Sequence, residues 1–162
     1  MTPTSGQQPV RQPRWPRVWV LVAAAALAGF AQAQEAPAMQ ARQASPSAWF
    51  VEGLSALGSS QNQNFISNAG FVVTPAGVVV IDALGSPALA GRLLEQIRRV
   101  TDKPVTHVIV THYHADHIYG LQAFKAAGAR IIAHEAAREY LHSDTAALRL
   151  EASRKELAPW VD

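Results

Sequence analysis

Apolar residues change rhythm along this chain, and each change predicts an element. Trp49, Phe50 and Val51 form a short apolar run, read as a first strand. Residues 64–74 (NFISNAGFVVT) predict a second strand, bent at Asn68-Ala69-Gly70, and Pro75-Ala76-Gly77 is a turn signal. Residues 78–82 (VVVID) read as a third strand, closing a hairpin with the second. The period then lengthens. Leu89, Leu93, Ile97 and Val100 recur at helical spacing, Leu94 widens the stripe, and Arg92, Glu95, Arg98 and Arg99 fall mostly off it. Ser86 suits the N-cap and Pro87 the first helical position, while Arg98 and Arg99 meet the helix dipole favourably at the other end. Thr101-Asp102-Lys103-Pro104 breaks the helix, and the β-branched run 105–111 (VTHVIVT) predicts a buried strand. Further on, 121–127 reads as a short helix stopped by Gly128 and 131–133 as a short strand. A helix begins at 135–141, and Asp144 is placed to cap another running through Leu157. Strands followed by alternating helices and strands predict a mixed α/β layer structure.

The first third of the chain has a different character. Arg11, Arg14 and Arg17 precede an apolar run at 18–30 (VWVLVAAAALAGF), and Ala31-Gln32-Ala33 supplies a small-x-small cleavage pattern. The run is 13 residues long, short of the roughly 20 needed to span a bilayer. Residues 1–33 therefore read as a signal peptide cleaved after Ala33, which implies a periplasmic or secreted protein with no stable membrane anchor afterwards. Residues 34–47 (QEAPAMQARQASPS) lack apolar periodicity and read as a flexible linker, leaving 48–162 as the folded part.

Charge sharpens this division. The formal net charge is +2, with fourteen basic and twelve acidic residues. Three of the basic residues lie in the leader, so the remainder has eleven against twelve, a net of −1. A near-neutral body argues against nucleic acid as a partner, since that needs a concentrated basic surface. There is no cysteine, which excludes disulfides, thiolate metal sites and a cysteine-linked lipid anchor. Any metal must be held by nitrogen and oxygen donors.

Those donors are concentrated in THYHADHIYG, residues 111–120. His112, His114, Asp116 and His117 fall within six positions, directly after the strand predicted at 105–111. Strand carboxyl ends form the ligand crevice in open α/β folds. On a continuous helix His112 and His114 would point roughly 200° apart. In an extended segment His112, His114 and Asp116 share one face, with His117 opposite. A turn at Ala115 instead splits the four into two pairs. Either arrangement suits zinc, with iron or manganese as other possibilities.

His112-x-His114-x-Asp116-His117 resembles the HxHxDH signature of the metallo-β-lactamase-fold hydrolases. The preceding hairpin and helix are similar to that family's opening, and the likeness covers roughly residues 48–142. It implies the N-terminal half of an αββα sandwich with up to two zinc ions at the edge of the sheets. By that likeness His112 and His114 bind the first metal and Asp116 and His117 the second. Asp116 also orients the attacking hydroxide, the catalytic role. Asp82 resembles the family's strand-end aspartate, which supports the ligands without binding metal. The family commonly has Asp-x-Gly there, whereas this chain reads Asp82-Ala83-Leu84-Gly85.

The implied activity is hydrolysis of a small ester, thioester, lactone or β-lactam by a metal-activated water. The surroundings of the motif look closer to the broad periplasmic members, including those linked to quinoprotein or sulfur-oxidation systems, than to any one drug-degrading group. The family's remaining ligands lie well downstream of the motif. Of the other histidines, His107 reads as packed within its strand, and His134 and His142 as non-ligands. The expectation is thus an incomplete fragment of such a hydrolase, with part of the metal site. Two alternatives stand beside it: a non-catalytic periplasmic metal-binding module, and an iron-dependent redox member of the same fold. The sequence leaves the oligomeric state open.

Overall fold

A computed structural model describes residues 36–161. The leader expected at 1–33, with its cleavage point, lies outside the described residues. Among the described residues no helix is long and apolar enough to cross a membrane.

Six strands form one sheet in sequence order: β1 (Arg42–Ser45), β2 (Ala48–Val51), β3 (Ala69–Thr74), β4 (Gly77–Ile81), β5 (Val105–Ile109) and β6 (Arg130–Ile132). The first four run antiparallel, and β4, β5 and β6 run parallel. Parallel neighbours need crossovers. Helix α1 (Pro87–Val100) supplies the one between β4 and β5. The short helices α2 (Ala115–Ile118) and α3 (Leu121–Ala126) supply the next, and α4 (Ala137–Leu141) and α5 (Asp144–Glu156) follow β6.

Two sequence expectations need correction. The stretch read as a linker contains β1, whose four residues are all exposed. Main-chain pairing to β2 holds it, which an apolar pattern does not register. Arg42, opposite Phe50, lies with its guanidinium 5.1 Å from that ring and pairs with Glu52 at 2.6 Å. The strand expected over 64–74 begins only at Ala69. Gln63 and Asn64 take φ of 56° and 60°, which a strand does not accommodate. Asn62 and Asn64 instead knit a turn: Asn62 Oδ1 accepts from the Ser59 and Asn64 amides, both at 3.0 Å.

The sheet has one buried face. Val51, Phe71, Val78, Val80 and Val108 are buried and share a core with Leu89, Ala90, Leu93 and Ile97 of α1 and Phe124 of α3. Trp49 stacks on Phe71 across the β2–β3 ladder at 5.6 Å. The alternate residues point to the other face. Phe50, Ile81, Ile109 and Ile132, brought together by register, are half-buried or exposed. Among the described residues α1 and α3 pack on this buried face, giving one α layer and one β layer of the expected sandwich.

Helix α1 forms as its sequence predicts. Ser86 is fully buried and its side chain accepts from the Leu89 amide at 3.2 Å, with Pro87 in the first turn. Gln96, on the same helix, accepts from the Ala41 amide at 3.0 Å and so ties the segment before β1 to α1. Ser86→Ala removes the side-chain acceptor that caps a buried helix start. It is expected to lower stability by about 1–2 kcal/mol, measured by urea unfolding with an unchanged m-value.

Candidate metal centre

The loop grows from two adjacent strand ends. Past β4, the Asp82 amide donates to the Ile109 carbonyl at 2.9 Å; past β5, the Val110 amide donates to the Ile132 carbonyl at 2.8 Å. The sheet's hydrogen bonding therefore reaches the threshold of the histidine loop and fixes where it starts. The turn at Ala115 is the one the chain adopts: α2 begins there, and the His117 amide donates to the His114 carbonyl at 2.9 Å. His112 and His114 precede the turn, and Asp116 and His117 lie on it.

The turn brings the imidazoles together. His112 sits with its ring centroid 4.7 Å from His114 and 4.1 Å from His117. His117 Nε2 lies 3.4 Å from Asp116 Oδ2. All four sequence candidates thus occupy one small region. Among the described residues, however, no three His, Asp or Glu side chains are grouped to hold an ion as they stand. The donor set fits zinc in kind, being imidazole and carboxylate. In arrangement it is a partial site.

Asp82 is the hub beneath the loop. It is 5% exposed and takes φ of 62°, a left-handed conformation in which aspartate is enriched. Oδ1 accepts from the Thr111 amide at 2.9 Å, and Oδ2 accepts from Thr111 Oγ1 at 2.7 Å. The same Oδ2 lies 2.8 Å from His117 Nδ1. A carboxylate on Nδ1 directs a neutral imidazole's lone pair to Nε2, on the side of the loop. Thr111 Oγ1 also contacts His112 Nδ1 at 3.0 Å. Asp82 therefore orients His117 directly and His112 through Thr111.

Two residues here escaped sequence reasoning. Thr111 reads in the sequence as a strand end, although a hydroxyl directly before His112 is a visible signal. Ser67 Oγ donates to the Asp116 carbonyl, a contact 49 positions away that no local pattern announces. The remaining histidines serve elsewhere. His107 Nδ1 contacts Thr106 Oγ1 at 3.1 Å, and His134 Nδ1 accepts from the Ala136 amide at 3.2 Å. His142 follows α4 at an exposed C-cap. Near the loop, the Tyr140 phenol is pushed above its usual range. Burial is the main cause, and Tyr119 and Tyr113 add to it against the opposing pull of Arg149.

Comparison with known proteins decides the family. The sequence profile of the metallo-beta-lactamase superfamily matches residues 63–160. The chain belongs to the metallo-β-lactamase superfamily. It is similar to a linear primary-alkylsulfatase from Pseudomonas sp. (strain ATCC 19151), 34% identical over 53 residues, covering 33% of this chain and 10% of that protein. A metallo-beta-lactamase type 2 from Bacillus sp. (strain 170) is 36% identical over 72 residues, covering 44% of this chain and 28% of that one. Among solved structures, a metallo-beta-lactamase from Pontibacter korlensis aligns with TM-score 0.56 at 19% identity, over 67% of this chain and 49% of that one. A double mutant of a sec-alkyl sulfatase aligns with TM-score 0.54 at 22% identity, over 72% and 18%. The matched stretches thus span 10% to 28% of these curated relatives.

Within this superfamily member the displaced glycine has a physical account. Leu84 stands where the Asp-x-Gly pattern has glycine, and it still takes a positive φ, 65°. It is fully buried, so packing offsets a backbone strain of about 1–2 kcal/mol. Gly85 serves a different need, because a Cβ there would collide with Asn64. The turn is then stitched to the loop: the Ala83 amide donates to the His117 carbonyl at 2.8 Å, and the Gly120 amide to the Leu84 carbonyl at 3.1 Å. Asp82→Ala leaves the Thr111 amide and His117 Nδ1 without their partner. It is expected to cost about 1–3 kcal/mol, checked by chemical denaturation of the metal-free protein, with Asp82→Asn losing less.

Proposed function

We propose that the protein is an exported zinc-dependent hydrolase, in which His112, His114, Asp116 and His117 hold the metal. Superfamily membership supports metal-dependent hydrolysis as the kind of chemistry. The observation that carries the assignment to these residues is the Asp82–His117 contact at 2.8 Å. A carboxylate bound to one ring nitrogen is the usual partner of a metal-ligating histidine, and here it sits beneath a cluster of three imidazoles. When bound, zinc supplies Lewis acidity and brings a water's pKa down to about 7. Asp116, whose backbone is anchored by Ser67, orients the attacking water with its carboxylate. Asp82 keeps His117 in the tautomer that offers Nε2, and Thr111 steadies His112.

The substrate is a small molecule with a hydrolysable ester, thioester, lactone or β-lactam bond. The likeness to two alkyl sulfatases adds sulfate esters to that range. The leader read at residues 1–33 supports a periplasmic or secreted location.

A second reading is a metal-binding module without turnover. It would use the same imidazole and carboxylate donors, His112, His114, Asp116 and His117, which lie together in the loop. One experiment separates the two. His114→Ala is expected to remove bound zinc by elemental analysis and to reduce ester or lactam hydrolysis to background. Loss of metal with activity retained would sink the hydrolase reading, and iron in place of zinc in the purified protein would favour the redox alternative. Asp82→Ala is expected to weaken zinc binding by about 10–100-fold, measured by chelator competition.

A further inference from the structure

A cleft of about 470 Å³ opens beside the histidine loop, walled by the segments after β5 and β6, by α4 and by the α2–α3 corner. Small-molecule sites commonly measure about 300–1,000 Å³. The wall is mainly apolar: Ile118, Leu121, Ile131, Leu141, and Tyr113 packed on Tyr140 with ring centroids 4.5 Å apart. Tyr113, Ile131 and Leu141 remain 49%, 38% and 64% exposed. Apolar area gathered in a concavity is unfavourable in water unless something covers it. Thr111 and His112 belong to the same wall, so the metal loop itself forms one boundary of the cleft.

We infer that this cleft receives the aliphatic tail of the substrate, an alkyl or acyl chain, with the bond to be cleaved held at His112. The location of that bond rests on the hydrolase reading above; the apolar wall does not. A tail with a polar head matches both parts of the surface, the apolar wall and the imidazoles beside it. A charged tail does not, since the ionisable side chains lining the cleft away from the loop, His134 and Glu139, are exposed and offer it no enclosed partner. The cleft is of a size to select small amphiphiles over a protein surface. It would favour longer chains over short ones.

Linear carboxylates from butyrate to decanoate, titrated calorimetrically into the intact protein, test this alongside hydrolysis of their p-nitrophenyl esters. The Kd is expected to fall with chain length, by up to about fourfold per methylene where the added group is fully buried. Ala137→Trp fills the cleft from α4 and is expected to raise the decanoate Kd at least about tenfold, with butyrate unchanged. Leu141→Ser changes an exposed position, where folding is not at stake, and is expected to shift decanoate the same way by less. A wild-type Kd independent of chain length overturns the inference, whether or not the esters are cleaved. Length dependence that both variants leave intact places the tail elsewhere and also overturns it. Length-dependent binding lost in the variants, without ester hydrolysis, upholds the cleft and counts against the hydrolase reading.

Discussion

The buried carboxylate of Asp82 is the constraint on which the candidate site depends. A carboxylate removed from water is costly unless its lone pairs are occupied. Here the Thr111 amide, the Thr111 hydroxyl and His117 Nδ1 surround it. These partners come from the end of β5 and from α2, so one charge binds the end of β4 to both. The side chain reaches them from a left-handed backbone. Strain and desolvation at this one residue are offset by the partners it gathers, and those partners are the base of the histidine loop.

Close packing around the same turn keeps the arrangement unique. Ala83 and Leu84 are fully buried, and their main-chain groups bond the α2–α3 corner. Gly120 is required there, because a Cβ would collide with the Ala83 carbonyl oxygen. Asn64, itself left-handed, presses on Gly85 and donates to its carbonyl at 3.2 Å. Each contact needs a small residue or an unusual backbone at one place. Together they leave α2 one way to seat, which sets the imidazoles 4.1 to 4.7 Å apart.

What the sequence revealed follows from how far each signal travels along the chain. The α1 stripe, its Ser86 cap and the β3–β4 hairpin are local, and they were legible. The four loop residues were legible as a group because they are adjacent, and the turn at Ala115 stood as one of two stated geometries. The strand β1 was hidden, since its residues are all exposed and main-chain pairing has no side-chain code. The shortened β3 was hidden by Asn62, whose side chain accepts from the Ser59 and Asn64 amides, and by Asn64, whose side chain donates to the Gly85 carbonyl; such side-chain bonding to backbone competes with the strand. Ser67 was hidden because its partner, Asp116, is remote. The αL backbone at Leu84 is the instructive case. Glycine is the usual sign of such a conformation, and a fully buried leucine gives no such sign.

The same sheet that fixes the loop also limits what it does unaided. Side chains alternate across a sheet, so β5 sends Val108 into the core and Ile109 to the open side, where it is 39% exposed. Ile132 beside it is 48% exposed. The histidine loop starts one step past this boundary. Its supports, Asp82 and Thr111, hang from the hydrogen-bonded ladder, whereas His112 and His114 are exposed. Support from one side orients ligands but does not enclose an ion, because closure needs donors converging from another direction. The partial grouping of the four candidate ligands is therefore what a one-sided support produces: orientation is built in by Asp82, and among the described residues no third donor converges to enclose an ion.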